Sequence, residues 1–308
     1  MILLQVLSTT WMAGGVWYKM AVKEYVHVES VTDAIGLMSD TSKTHQFIAG
    51  GVGIAAQRKD GFLDCDQLID ISRISELQSE EKVSFEGKSY LKLGSVLSLN
   101  QISLSENVKK DFPFFARALV ESSDPARRNA YTLGGRLATK IPVGMLLPAL
   151  CALDTVVDVN KNGNSNKISV MDWLSSEIIE EPYLITAVLI PYQSKINYSI
   201  LDVKRRNYPG EIVAGVLVTT HETPTKMIEN IKIFGSVDKY GLVSFSNISE
   251  FLNGKNISSD LIRQAEELAS QQISNNWGND EDAQYRKRVL SALVSRCLNQ
   301  VFLKVGKD

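Results

Sequence analysis

Apolar positions along this chain follow two different periods. Behind Ser30, the residues Val31, Ala34, Ile35 and Met38 recur at i, i+3, i+4 and i+7, which puts one apolar stripe on a short helix and leaves Ser30 to cap it. Phe47–Ala49 and Leu68–Ile71 are brief apolar runs and read as neighbouring strands. Thr155–Val159 and Tyr183–Pro191 also read as strands, and the polar turn Asn160-Lys161-Asn162-Gly163-Asn164 carries a glycine suited to a hairpin. Beyond about residue 194 the pattern changes to one continuous run, Ile212–Thr219, and then to helical spacing, with Ser258 and Ser259 ahead of Leu261, Ile262, Ala265 and Leu268. The pattern is that of an α+β protein without internal repeats or low-complexity linkers.

Two glycine pairs about eighty residues apart interrupt these runs. The first lies in Ile48-Ala49-Gly50-Gly51-Val52-Gly53-Ile54, the second in Tyr131-Thr132-Leu133-Gly134-Gly135-Arg136-Leu137. Lacking a Cβ, glycine permits positive φ and close approach of a ligand to backbone N–H groups, so two such loops can grip one diphosphate. Either pair alone also reads as an ordinary turn. A further reading competes at the first loop. Gly51-Val52-Gly53-Ile54-Ala55-Ala56 fits G-x-G-x-x-A after a strand, and Asp70 follows about twenty residues later, as a Rossmann NAD site requires. Against it, Arg58-Lys59-Asp60-Gly61 leaves the intervening helix barely two turns, and a Rossmann domain has no use for Gly134-Gly135.

Composition narrows the function. With 308 residues, 44% hydrophobic content and a formal charge of −2, the chain suits a soluble protein of two or three modest domains, and no basic excess points to nucleic acid. Cys65, Cys151 and Cys297 are far apart and His27, His45 and His221 form no ligand spacing, so no zinc or iron–sulfur site is expected. Scattered cysteines read as reduced thiols of a cytoplasmic protein. No catalytic side chain stands out. Residues 1–19 are an uncharged stretch up to Tyr18 that fits neither a signal peptide nor a membrane span, and read as an upstream extension or start-site artefact.

Read in order, Gly50-Gly51, Leu68–Leu77, Leu91–Ser95, Arg128-Asn129, Thr132–Gly135 and Pro142–Asp154 resemble the FAD-binding subunit of the molybdenum hydroxylases, the xanthine dehydrogenase and carbon monoxide dehydrogenase group. The likeness runs from about Met20 to Phe302, and Asp282–Leu290 is similar to the family's last helix. It implies a PCMH-type (VAO-like) FAD-binding fold, with lobes at 20–78 and 79–198 followed by a C-terminal α+β domain at 199–308. It further implies a heterotrimer in which a [2Fe–2S] subunit reduces FAD, FAD passes electrons to NAD⁺ or another acceptor, and a large molybdopterin subunit selects the substrate, a purine or other N-heterocycle.

Carried onto this sequence, the resemblance places backbone N–H groups of Ile48, Ala49, Gly50, Gly51, Val52, Gly53 and Ile54 on the diphosphate. Thr132, Gly134, Gly135 and Arg136 come from the second loop, and Met145 lies toward the adenosine end. Several positions depart from the family. Arg136 replaces an Asn, Met145 a carboxylate, Val52 a polar residue, and Asp202 an expected lysine. All but Arg136 leave the backbone loops to hold the cofactor with less side-chain help, so a non-catalytic subunit or assembly protein with weakened FAD binding is the alternative. Alanine at Gly50 or Gly135 is expected to weaken FAD retention more than it lowers apo stability.

Overall fold

The computed structural model describes residues 3–5, 11–13, 16–18, 22–140, 144–176, 182–204, 212–221, 227–238, 240–276 and 281–305. Pro142 and Val143, and Met20 and Ala21 where the resemblance begins, lie outside them. The chain divides into two interleaved units. One comprises Met1–Gln101, Asn129–Lys140 and Val156–Ile190, the other Ile102–Arg128, Ile141–Thr155 and Pro191–Asp308, so the backbone passes between them five times. The stretch 79–198 therefore contributes to both.

In the first unit, strands Glu24–His27, Gln67–Asp70 and His45–Ile48 lie parallel in that order, and Leu3–Gln5 adds an antiparallel strand outside Glu24–His27. Alternation along these strands gives the sheet two faces. One face takes the helix Val31–Met38, whose Val31, Ala34 and Ile35 pack with Val26, Ile69 and Ile71. Ser30 caps that helix as the sequence predicts, its Oγ accepting from Asp33 N at 3.0 Å. Onto the other face, the helix Val52–Lys59 sends Ile54 among Tyr25, Ile48, Leu63, Cys65 and Leu68.

A second, antiparallel sheet in this unit has the order Asn164–Ser169, Val156–Lys161, Tyr183–Pro191, Lys88–Gly94, Glu80–Phe85. Its hairpin turns at Asn162 and Gly163, with φ of 49° and 85°, the paired positive values that a tight two-residue turn demands. The helix Leu133–Thr139 is tied to this unit by buried Trp173, whose Nε1 donates to Leu137 O at 3.1 Å.

The other unit centres on the antiparallel sheet Ile196–Lys204, Ile212–His221, Lys232–Val237 and Gly241–Ser244. Strand Ile212–His221 is buried almost throughout, which is why its sequence is a continuous apolar run rather than an alternation. Ala214, Val216 and Val218 face the helices Ser259–Asn276 and Glu281–Val305, where Leu290, Val294, Leu298 and Val301 complete the core. The intervening Gly215 points to the opposite face. A Cβ there would lie 2.5 Å from Met145 Sδ, so the glycine makes room for the start of the fully buried helix Leu146–Ala152.

All three cysteines are buried and unbridged. Burial raises each thiol pKa, to about 12 for Cys151 and about 11 for Cys297, and the neighbouring Asp64 and Asp66 add to the effect of burial at Cys65. The native protein at pH 8 is therefore expected to give no fast reaction with an aromatic disulfide reagent, and three equivalents of thiol after denaturation. A thiol that reacts in the folded protein at the rate of a free cysteine would contradict this burial.

Candidate functional site

The first glycine loop leaves the carboxyl end of a parallel strand. Ile48 closes strand His45–Ile48 with its carbonyl accepting from Ile71 N at 3.0 Å, and Ala49 packs against the apolar core on the Val31–Met38 side. Gly51 then turns the chain at φ 75° into the helix Val52–Lys59. No side chain caps this helix. Ala55 N bonds back to Gly51 O at 2.9 Å, but the N–H groups of Val52, Gly53 and Ile54 have no acceptor among the described residues. An uncapped first turn with three spare donors and the positive end of the helix dipole has the chemistry of an anion site. Gly53 adds open space, since a Cβ there would meet nothing within 4 Å.

Gly50 is glycine for a different reason. A Cβ at this position would lie 1.7 Å from Ala130 O and 3.4 Å from Thr132 Cγ2, so the two glycine loops, far apart in sequence, touch through it. Gly50→Ala is therefore expected to lower apo stability as well as FAD retention, since the space belongs to the neighbouring backbone before any ligand arrives. No local spacing in the sequence signals this contact with Ala130.

The second loop spends its donors internally. Thr132 caps the helix Leu133–Thr139, its Oγ1 accepting from Gly135 N at 3.2 Å, while Leu133 N donates to Leu97 O at 3.0 Å and Gly134 N to Ser95 O at 2.8 Å. Gly134 is needed because Ser95 is so close that a Cβ would fall 2.6 Å from Ser95 Cβ. At Gly135 a Cβ would sit 2.8 Å from Thr132 Oγ1, pressing on the cap itself.

Arg136, one residue on, is 9% exposed and stacks 4.9 Å from the Tyr131 ring centroid. Burial lowers its pKa, yet a guanidinium stays protonated under these conditions, so a fixed positive charge sits on the second-loop helix. Met145 belongs to the other unit, has no exposed surface, and is packed at Gly215. Asp202 flanks the same glycine, and burial raises its carboxyl pKa despite Lys204 nearby.

The Rossmann reading can be tested on the same ground. Strand His45–Ile48, helix Val52–Lys59 and strand Gln67–Asp70 do form a parallel βαβ unit, with a helix of eight residues. However, Asp70 is 5% exposed, and it accepts from Tyr25 Oη and Ser72 N, both at 2.8 Å. A carboxylate so enclosed cannot reach the ribose of a second nucleotide. The Ser194–His221 contact is not a nucleophile–base pair either. Asn230 Nδ2 donates to His221 Nε2 at 2.9 Å, which places the ring proton on Nδ1, 3.0 Å from Ser194 Oγ, so this imidazole cannot take the serine proton. No group of side chains that could hold a metal ion is found among the described residues, and no described helix is long and apolar enough to cross a membrane.

The fold defines a class. It superimposes with a TM-score of 0.80 on a chain of carbon monoxide dehydrogenase from Hydrogenophaga pseudoflava, at 20% identity over 91% of this chain and 97% of that one. Residues 19–193 match the family model described as the FAD binding domain in molybdopterin dehydrogenase, and the chain belongs to that family. Among curated relatives, it is 23% identical over 281 residues to the glyceraldehyde dehydrogenase medium chain of Sulfolobus acidocaldarius, covering 90% of this chain and 97% of the relative. It is 26% identical over 286 residues to the nicotine 6-hydroxylase medium subunit of Paenarthrobacter nicotinovorans, covering 91% and 97%. FAD is the cofactor of this family, and the uncapped first-loop helix fits its diphosphate.

Proposed function

We propose that this chain is the electron-transfer subunit of a molybdenum hydroxylase, taking electrons from an iron–sulfur subunit and passing them to NAD⁺ or another acceptor, with a molybdopterin subunit acting on the substrate. The observation that carries the reading is the first turn of Val52–Lys59, where three backbone donors lack partners beside a loop braced by Ala130. Gly51, Val52, Gly53 and Ile54 would hold the diphosphate through main-chain N–H groups, so the apolar side chain of Val52 costs little there. Arg136 would supply the cation that the second loop's spent backbone donors do not. When bound, FAD supplies the capacity to accept and release electrons singly or in pairs. The protein's own residues bind it, orient it and shield it.

Visible flavin bands in the purified protein, and FAD released on denaturation, test the reading directly. Arg136→Ala should weaken FAD binding by about tenfold at low salt and flatten its salt dependence, as expected when one charge-assisted contact is lost. Equal affinity of parent and variant at both salt concentrations would assign Arg136 a structural role, such as its packing on Tyr131. Colourless protein that ignores added FAD would leave the non-catalytic or assembly reading, which the buried Met145 and the internally bonded second loop favour.

A further inference from the structure

Asp70 is an unexpected neighbour for an anion-binding loop. In strand register it lies directly beside Ile48, the residue from which the first glycine loop springs, and on its other side beside His27. These three residues form one row across the carboxyl ends of the parallel strands, on the face that carries the helix Val52–Lys59. Neighbouring strands are about 4.8 Å apart, so the Asp70 charge stands one strand spacing from the loop's root, where a doubly negative diphosphate would bind.

The surroundings moderate that charge without removing it. Tyr25 Oη donates to Asp70 Oδ2, and burial together with that bond pushes the phenol pKa up to about 12, so the hydroxyl keeps its proton. Ser72 N donates to Oδ1. His27 Nδ1 approaches Oδ2 to 2.9 Å, off the line of a directed hydrogen bond, and that buried nitrogen has no hydrogen-bond partner among the described residues. Two lone pairs at that separation would repel, so Nδ1 carries a proton. The His27 side chain is 24% exposed, enough for exchange with solvent.

We propose that His27 and Asp70 form a proton-linked pair that sets how tightly the first loop holds FAD. The proposal rests on the FAD reading above. With His27 charged, the pair is neutral and the loop meets the diphosphate without opposition. With His27 neutral, the Asp70 charge faces it. Among the described residues, other titratable groups around His27 are few. Tyr25 shares its strand, Arg73 lies beyond Asp70, and Glu29 stands two residues along. The helix Val31–Met38 carries Asp33, bonded to its own cap Ser30, and the helix Val52–Lys59 carries charge only at its far end, at Arg58 and Lys59.

The diphosphate diester and the flavin ring keep constant charge between about pH 5 and 8, the interval in which imidazoles change theirs, so a pH effect on affinity there reports the protein. The chain's three histidines make the assignment tractable. FAD titrated into apo-protein and followed by flavin fluorescence should bind about three- to tenfold more weakly at pH 8 than at pH 5.5, the change expected for one charge at one to two strand spacings in a dielectric between those of protein and water. His27→Gln should abolish the slope and bind at the parent's pH 8 level, while His45→Gln should keep it. Asp70→Asn, if it folds, should bind more tightly than the parent at pH 8. A parent without slope, or a slope retained in His27→Gln, overturns the pair. Failure to take up FAD at any pH would sink the FAD reading itself and this inference with it.

Discussion

Replacing Gly50 by alanine should be among the most damaging single changes in this chain, in the apo form as well as the cofactor-bound one. The added Cβ would sit 1.7 Å from Ala130 O, a backbone atom that cannot rotate away, so one of the two glycine loops must shift bodily. Overpacking of this kind costs about 3 kcal/mol where backbone rather than side chain must move. The apo protein should show a clearly lowered denaturation midpoint, and FAD binding should be lost. Gly53→Ala is the control. Its Cβ meets nothing within 4 Å, and alanine favours a helix over glycine by about 0.5–1 kcal/mol, so apo stability should hold or rise. Equal apo stability of Gly50→Ala and the parent would show that the loops do not brace each other as described.

Arg286→Met should cost about 3 kcal/mol, the lower end of the range for breaking a buried ion pair, because the partner carboxylates keep some solvent contact. Arg286 is 2% exposed near the start of helix Glu281–Val305. Its Nε donates to Asp238 Oδ1 at 2.5 Å and a terminal nitrogen to Oδ2 at 3.1 Å, and it also pairs with Asp282. These partners raise its pKa, so the charge persists at every working pH. Asp238 follows strand Lys232–Val237, and the fork therefore pins the long helix to the sheet end. Methionine keeps the apolar stem but takes the guanidinium away from the Asp238 carboxylate. Adding Asp238→Asn should recover part of the loss, because removing both charges of a pair costs less than removing one. Urea denaturation of the single and double variants measures both steps, and a double variant no better than Arg286→Met would refute the pairing.

Local chemistry was legible in the sequence and long-range geometry was not. Ser30 and its apolar stripe, the Asn162-Gly163 turn, the strands around Phe47 and Leu68, and the Ser258 cap all stand where pattern puts them, because each depends on residues within a few positions. The helix Leu146–Ala152 escaped, since all seven of its residues are buried and such a run has no periodicity to read. The reasons for Gly50 and Gly134 escaped too. Each is dictated by a backbone segment, at Ala130 or Ser95, whose approach no local spacing encodes. For Arg136 the usual preference of arginine for solvent misleads, because Tyr131 offers its ring face and the helix end encloses the chain. At Asp70 the motif was genuine at the level of the βαβ unit, and only the bonds from Tyr25 Oη and Ser72 N show that the carboxylate is already engaged.

The five passages of the backbone between its two units bear on inheritance. A unit drawn from three separate stretches of sequence cannot be copied into another gene by a single insertion, nor released by trimming either end. Recombination that moved the glycine loops alone would carry off Asn129–Lys140 only by cutting through Ile102–Arg128 on one side and Ile141–Thr155 on the other. Interleaving of this kind favours change by substitution within the whole chain over exchange of parts.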